Sequence, residues 1–404
     1  MLDSAKSSKN SQPAYQFLQS KFLWSAILVV GLVGGAVFLP YWRPAYWSAS
    51  SQLAGTITLL RQNAEPVVFS DLRLSDETEY KTGDEVAIIL KRFAKIPREV
   101  REIVDSATTL TQEQLDLLRK TLDENRQALV ALAAVEGVEH CRFRYDFDVA
   151  CPMNTILSSV DEVSKAFVLG RADFVQMVND TNHSQAFEGV LELCDTTELL
   201  RNEPFLVSQH VRVRNGGQAI DCIEKLLAIV DVNDVQFQAL DDRLMKMETN
   251  FRLAGVIRAE RASLFTTMQN LSHPDVRKTL DSMVGLDTGG GLISFGPRKS
   301  SIRRWSSLAY FPELMAQQNW MIAQLNLAAE LVDFPGKEMN EKWLRLDQEI
   351  NSKLESEKDT PVSLLFPAIG ALRDQAFAYR ERLEATRLAL HASLERAGDP
   401  NAQR

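Results

Sequence analysis

The hydrophobic positions of the chain form one long uninterrupted run near the start and a series of helical repeats after it. The run covers residues 22–42, reads FLWSAILVVGLVGGAVFLPYW and contains no charged residue. At a rise of about 1.5 Å per residue, roughly 20 apolar residues form a helix that crosses the hydrocarbon of a bilayer. The pattern therefore predicts a single transmembrane anchor in the lipid bilayer, preceded by a leader of residues 1–21.

Downstream, apolar residues recur every three or four positions, which is the spacing of amphipathic helices. The clearest case begins at Thr111, where Gln114 completes a capping box, and ends before Gly137. Further helical patterns cover residues 155–169, 185–201, 204–230, 235–271, 307–332 and 362–397. Strand-like alternation is confined to Val67–Leu74 and Cys141–Val149. We therefore predict an all-α fold after the anchor, either an irregular bundle or an array of antiparallel helical hairpins.

These patterns also divide the chain after the anchor. Residues 43–110 are less regular and predict a stalk or membrane-proximal segment, whereas residues 111–283 and 302–397 predict two helical blocks. Between the blocks, residues 284–301 include GLDTGGGLISFGPRKSS and predict a long glycine-rich loop. Residues 398–404 predict a disordered tail.

Three breaks are predicted inside the first block. Gly170–Asp173 and Asn179–Asn182 each interrupt a helical pattern with turn-forming residues. Asn202–Glu203 predict a sharp corner, because Pro204 suits the first turn of the helix that follows.

The distribution of basic residues indicates the orientation of the anchor. Lys6, Lys9 and Lys21 precede the apolar run, whereas only Arg43 and the distant Arg61 follow it. Because positive charge is retained on the cytoplasmic side, we expect a cytoplasmic N-terminus and an extracytoplasmic C-terminal domain. A cleavable signal peptide is the alternative. Its apolar region usually has about 7 to 15 residues, so we favour an uncleaved signal-anchor.

The charge balance limits the possible partners. The chain has 45 basic and 54 acidic residues, a net charge of −9. Such a chain gains little from phosphate neutralisation, which argues against nucleic acid as a partner. One dense basic cluster, formed by Arg298, Lys299, Arg303 and Arg304, is a possible anion-binding site. The alternative is a solvated loop whose cations balance nearby carboxylates.

The four cysteines permit two disulfides if the domain lies outside the cytoplasm. Cys141 and Cys151 would close a short loop, and this bridge is the one we predict. Cys194 and Cys222 would link neighbouring helices. Buried free thiols are an equal alternative, since Cys194 and Cys222 fall within apolar helical patterns.

Known catalytic and metal-binding patterns are missing from the sequence. The five histidines are scattered, and neither HExxH nor GxSxG occurs. We therefore assign no catalytic residue, no metal ligand and no cofactor. Charged residues within the predicted helices are instead expected to form buried ion pairs that fix how the helices pack. These residues are Glu198, Glu203, Arg212, Arg214, Arg258, Glu260 and Arg261.

Three segments carry a resemblance to a known group of proteins. They are EPFLVSQHVRVR at Glu203–Arg214, AERASLF at Ala259–Phe265 and RLALHASLER at Arg387–Arg396. Together they resemble segments of bacterial membrane-anchored helical proteins of unknown function. The resemblance implies an N-terminal anchor and an all-helical body, and it transfers no functional residue.

The function expected from these features is that of a single-pass membrane protein of the cell envelope. Its extracytoplasmic helical domain would act in a protein–protein interaction, self-association or scaffolding, without catalysis. An envelope hydrolase whose site is assembled from separate helices is the main alternative. A purely structural spacer is a third.

Overall fold

The protein is described by a computed structural model, which covers residues 44–106, 110–230, 232–249, 253–285, 311–333, 337–356, 360, 366 and 369–398. Within these ranges the fold is all-α, as predicted, and contains no strand. Residues 44–62 are helical (α1). The helices that follow are α2 Lys81–Leu90, α3 Arg98–Ser106, α4 Gln112–Ala133, α5 Met153–Asn179, α6 His183–Glu198, α7 Leu206–Leu227, α8 Asp234–Thr249, α9 Leu253–Gln269, α10 Pro274–Gly285, α11 Phe311–Leu331, α12 Lys337–Ser356 and α13 Ile369–Gly398.

None of these described helices combines the length and the apolar character needed to cross a membrane. The predicted anchor at residues 22–42 lies outside the described residues, as do the leader and most of the glycine-rich loop. The anchor therefore stays a prediction from the sequence.

Helix α4 forms as its sequence pattern predicts. The Thr111 hydroxyl accepts a hydrogen bond from the Gln114 backbone N–H (3.3 Å), and the Gln114 side chain accepts one from the Thr111 N–H (2.9 Å). Leu115, Leu118 and Leu122 are buried along one face. After the helix, Gly137 adopts a left-handed φ of 71°, which ends the pattern.

The predicted break at Gly170–Asp173 is wrong, because α5 continues through it to Asn179. Gly170 is a packing position: a Cβ there would lie 3.0 Å from the Leu193 Cδ2 atom of α6. The missing side chain lets α5 and α6 approach closely, and this contact outweighs the low helix propensity of glycine. The turn at Asn179–Asn182 is present and joins α5 to α6.

The helical pattern over residues 235–271 divides into α8 and α9, so its prediction as one element is wrong. The corner at Asn202–Glu203 is confirmed. Helix α7, however, begins at Leu206 with Phe205 as its N-cap, so Pro204 lies within the corner and not in the first turn.

The strand-like stretch Cys141–Val149 forms neither a strand nor a helix in the structure. Its first six residues have no regular structure, and Phe147 and Asp148 lie in a turn. Phe143, Tyr145 and Phe147 are buried between helices, while the alternate side chains face outward. Its path is fixed in part by Gly83 of α2, where a Cβ would lie 1.9 Å from the Arg142 carbonyl oxygen. Period-two burial here reflects insertion between helices instead of a sheet.

Helix α7 lies at the centre of the fold and contacts α5, α6, α9 and α13. The largest hydrophobic cluster joins the two predicted helical blocks, because Ile220 and Ile223 of α7 share it with Tyr379 and Leu383 of α13. The predicted stalk region also packs on this body. Leu53 and Leu60 of α1 belong to one cluster with Phe265 of α9 and Ile322 of α11.

A polar contact reinforces this docking of the N-terminal region. The buried Arg261 guanidinium donates to the Glu65 carboxylate (2.8 Å) and to the Pro66 carbonyl oxygen (2.8 Å), and it also contacts Asn326. The Phe69 N–H donates to the Thr266 hydroxyl (2.8 Å). Residues 44–72 are therefore attached to α9 and α11 by both apolar and charged contacts.

Candidate functional site

The corner between α6 and α7 is built by hydrogen bonds from a single amide side chain. The Gln209 Nε2 group donates to the carbonyl oxygens of Leu200 (2.8 Å) and Glu203 (2.7 Å). Because a corner between two helices leaves backbone carbonyls without helical partners, these bonds satisfy groups that would otherwise be costly to bury. The corner therefore has a fixed shape.

Glu203 lies inside this corner and is only 1 % exposed. The Phe143 N–H donates to its Oε1 atom (2.8 Å), and the Tyr145 hydroxyl donates to its Oε2 atom. Burial raises the pKa of Glu203 to about 7, although the two hydrogen bonds and nearby Arg142 oppose the shift. Burial and the adjacent Glu203 also raise the pKa of Tyr145 well above its usual value. The Tyr145 hydroxyl therefore keeps its proton and donates it in a hydrogen bond to the Glu203 carboxyl group at the wall of the corner.

A fully buried ion pair lies behind the corner. The Arg212 guanidinium of α7 is 0 % exposed and donates to both carboxylate oxygens of Glu198 on α6, at 2.9 and 3.1 Å. Arg201 also approaches Glu198, with 3.7 Å between Nη1 and Oε2. A bidentate pair of this kind fixes two helices in one register, and removal of either partner leaves an uncompensated buried charge.

In front of the corner is an open cleft of about 580 Å³. Arg201, Asn202 and Glu203 of the corner line one part of it, and Glu139 and His140 line another. The lining is completed by Pro204, by Gln209 of α7, and by Gly255 and Val256 at the start of α9. The Asn202 amide joins the first two of these parts by donating to the Glu139 carbonyl oxygen (2.7 Å). We call this feature the corner cleft.

A second carboxyl with a raised pKa lies on the α9 side of the same corner. The Leu206 N–H donates to the Glu260 Oε2 atom (3.3 Å), and burial raises the pKa of Glu260 to about 7. Groups with such values can exchange protons near neutral pH. Both carboxyls, however, accept hydrogen bonds from the protein, and Glu203 is almost wholly enclosed. The surface of the corner cleft offers an arginine, an amide, a histidine and a glutamate for polar recognition.

The anion-binding and disulfide residues predicted from the sequence are not among the described residues that line the corner cleft. Arg298, Lys299, Arg303 and Arg304 lie outside the described residues. Cys141, Cys151, Cys194 and Cys222 are buried and unbridged in the structure, and Cys141 and Cys151 lie in different hydrophobic clusters. The Cys141–Cys151 bridge stays a prediction that a thiol count in the purified protein would test.

Part of the expected ion-pair network is present. Glu198 pairs with Arg212 as a contact between helices, but Arg261 pairs with Glu65 and not with a neighbour on α9. Sequence reasoning missed Glu65 and Tyr145 as partners. The alternating aromatic residues at 143, 145 and 147 carried the signal for Tyr145, since they marked one buried face. Within the described part of the chain, no group of three histidine, cysteine, aspartate or glutamate side chains is arranged to hold a metal ion.

Comparison with known proteins supplies no further constraint. No protein-family model, no curated protein and no solved structure matches the chain. The resemblance carried by Glu203–Arg214 therefore stays a prediction, and any function must be argued from the corner cleft and its surroundings.

Proposed function

We propose that the protein is a single-pass membrane protein whose helical body, held outside the cytoplasm, binds another protein or an envelope component without catalysing a reaction. The corner cleft is the proposed binding site. The observation that carries the proposal is that its polar wall is positioned from behind by buried contacts, namely Arg212 with Glu198 and Gln209 with the corner carbonyls. A preorganised polar surface binds without the entropic cost of ordering side chains.

The way the N-terminal region packs supports a role at a membrane surface. Only Arg43 separates the apolar run from α1, and α1 packs on the body through Leu53 and Leu60. A span at residues 22–42 would thus pass directly into a docked helix. Tethering of this kind raises the effective concentration of the body toward partners at the same membrane.

Capture through the corner cleft tests the proposed role. A photoreactive residue at His140, whose side chain is 81 % exposed, should give a discrete crosslinked product in membranes that contain the full-length chain. The exposed His273 between α9 and α10, which lines neither the corner cleft nor the groove between α4 and α6, provides a matched control site. We expect the product at position 140 only, and we expect Arg201→Ala to reduce its yield. Equal products at both sites, or none at position 140, would contradict a binding role for the cleft.

An envelope hydrolase remains the second candidate, because Glu203 and Glu260 have pKa values near 7. If the protein is a hydrolase, the partner crosslinked at position 140 should be a cleaved fragment. The Glu203→Gln variant should then increase the share of uncleaved partner in the crosslinked product. A binding protein would yield the same intact species in both backgrounds.

Reporter fusions test the orientation. A reporter that matures only in the cytoplasm should be active at the N-terminus, and an enzyme that requires an oxidising compartment should be active at the C-terminus. The reverse pattern would overturn the extracytoplasmic assignment while leaving the geometry of the corner cleft intact.

A further inference from the structure

A second concave surface lies on the first helical block. Helices α4 and α6 both pack on α5 and leave between them a groove of about 340 Å³. The α4 residues that line it run from Leu122 to Ala133, a distance of about 16 Å at 1.5 Å per residue. We call this surface the α4–α6 groove. It shares no lining residue with the corner cleft.

The apolar side chains that line the α4–α6 groove, which we call its floor, are partly open to solvent. Val130 is 65 % exposed, and Leu129 and Met177 are partly exposed beside it. Gly189 of α6 contributes no side chain, so the groove is left unfilled at that point, next to the Met177 side chain. Apolar side chains gathered in a concave surface gain free energy when a partner covers them.

The rim of the groove carries an excess of negative charge. Asp173 of α5 and Glu188 and Glu192 of α6 line it, against the single cation Arg126 of α4. Arg126 already contacts Asp123, with 3.3 Å between Nη2 and Oδ1. Partial loss of solvent contact and then the nearby carboxylates of Asp173, Glu188 and Asp195 raise the pKa of Glu192, although its side chain still reaches solvent. Burial likewise raises the pKa of Asp173, with Arg126 opposing the shift. The carboxylates therefore lie close enough to repel one another.

An apolar floor with an acidic rim selects a particular ligand chemistry. We propose that the α4–α6 groove docks a cationic amphipathic helix of a partner protein, with leucine-like side chains on the floor and lysine or arginine side chains against Asp173, Glu188 and Glu192. A helix of about three turns matches the 16 Å length of the groove. Its cations would relieve the repulsion at the rim, which gives specificity by charge complementarity. This proposal concerns a surface separate from the corner cleft and is tested separately from it.

Binding of a designed peptide to the full-length protein in detergent tests the proposal. The probe is a fluorescent helical peptide of about 18 residues, with Leu at i, i+3, i+4 and i+7 and Lys elsewhere. A second peptide has Glu in place of Lys. We expect saturable binding of the Leu/Lys peptide that weakens as salt is added, and no binding of the Leu/Glu peptide.

Matched variants locate the site. Val130→Lys and Glu192→Lys should each weaken binding of the Leu/Lys peptide at least about tenfold, because each replaces an attractive contact with a like charge. Val235→Lys is the control for the first, since Val235 is 80 % exposed on α8, and Glu124→Lys, on the exposed side of α4, is the control for the second. Both controls should bind as the parent does.

Several results would overturn the proposal. The first is that the Leu/Lys peptide does not bind saturably. The second is that the groove variants bind this peptide as well as their control variants do. The third is that the Leu/Glu peptide binds as tightly as the Leu/Lys peptide. Tight binding of Ca²⁺ or Mg²⁺ alone that depends on Glu192 but not on Val130 would identify a cation site instead. None of these results alters the expectation for crosslinking at His140, so the two proposals fail independently.

Discussion

The two surfaces of the first helical block differ in how the carboxylates of α6 are balanced. Behind the corner cleft, Glu198 is 4 % exposed and bound on both oxygens by Arg212. In the α4–α6 groove, Glu192 of the same helix is exposed and faces other carboxylates. A buried and paired charge stabilises one arrangement of helices. An exposed and uncompensated charge costs stability, and it gains a favourable contact when a cation binds.

The largest effect is expected where the buried pair is broken. Arg212→Met removes the hydrogen-bonded partner of the buried Glu198 and leaves it only the 3.7 Å contact with Arg201, so the free energy of unfolding should fall by about 3 to 5 kcal/mol. Urea unfolding of the full-length chain in a mild detergent measures this fall in the free energy of unfolding. The double variant Arg212→Met with Glu198→Met should recover much of the loss, because both charges are then removed. A loss below about 1 kcal/mol for the single variant would show that the pair does not hold α6 and α7 together.

The next largest effect is expected in the pH dependence of the free energy of unfolding, through the titration of Glu203. Its pKa in the folded protein is about 7, above the value of roughly 4.3 expected for an unfolded chain. Between these values the folded state binds a proton that the unfolded state has released, so stability falls as pH rises through this window. Relative to Glu203→Gln, the parent should lose about 3 kcal/mol between pH 4.5 and 7.5.

The Asp241→Asn variant provides a control of opposite sign. Hydrogen bonding from Arg387 lowers the pKa of Asp241, so its contribution is present above the unfolded pKa of about 3.9 and is lost as pH falls below it, outside the pH window in which Glu203 acts. Curves of unfolding free energy against pH that are parallel for the parent and Glu203→Gln would contradict the buried, proton-binding state of Glu203.

The smallest effect is expected at the groove floor. Val130→Lys should change the free energy of unfolding by less than about 0.5 kcal/mol, because the side chain is 65 % exposed and little packing is lost. Val235→Lys should behave in the same way. A larger loss for Val130→Lys would mean that this side chain is structural, and the peptide-binding variants would then need a different position.

Much of the fold followed from local patterns, whereas the sites depended on contacts between distant residues. The capping box and leucine spacing of α4 predicted that helix because both signals lie within it. Gly170 was misread because its role depends on Leu193, which belongs to another helix. Period two at Cys141–Val149 indicated one buried face, which is present, but the aromatic side chains of that face pack between helices and the stretch forms no strand. No local pattern encodes that choice.

The candidate sites were beyond sequence reasoning for the same physical reason. Glu203 becomes buried only when Tyr145 and Phe143, nearly 60 residues earlier, pack across it. The α4–α6 groove exists because α4 and α6 both pack on α5 and leave space between them, which no single amphipathic pattern records. The buried Glu198–Arg212 pair was anticipated, since charged residues inside apolar helical patterns must find partners.

The most direct measurement compares Glu198→Gln with Glu192→Gln by urea unfolding at pH 7.5. The substitution is the same, and both residues lie on α6. The contrast between paired and uncompensated charge predicts that Glu198→Gln lowers the free energy of unfolding by about 2 to 5 kcal/mol, since Arg212 stays buried. It predicts that Glu192→Gln raises it by a few tenths of a kcal/mol, since repulsion at an exposed rim is relieved. If both variants change the free energy of unfolding in the same direction, or if both changes lie within about 0.5 kcal/mol of zero, the proposed contrast between Glu198 and Glu192 is contradicted.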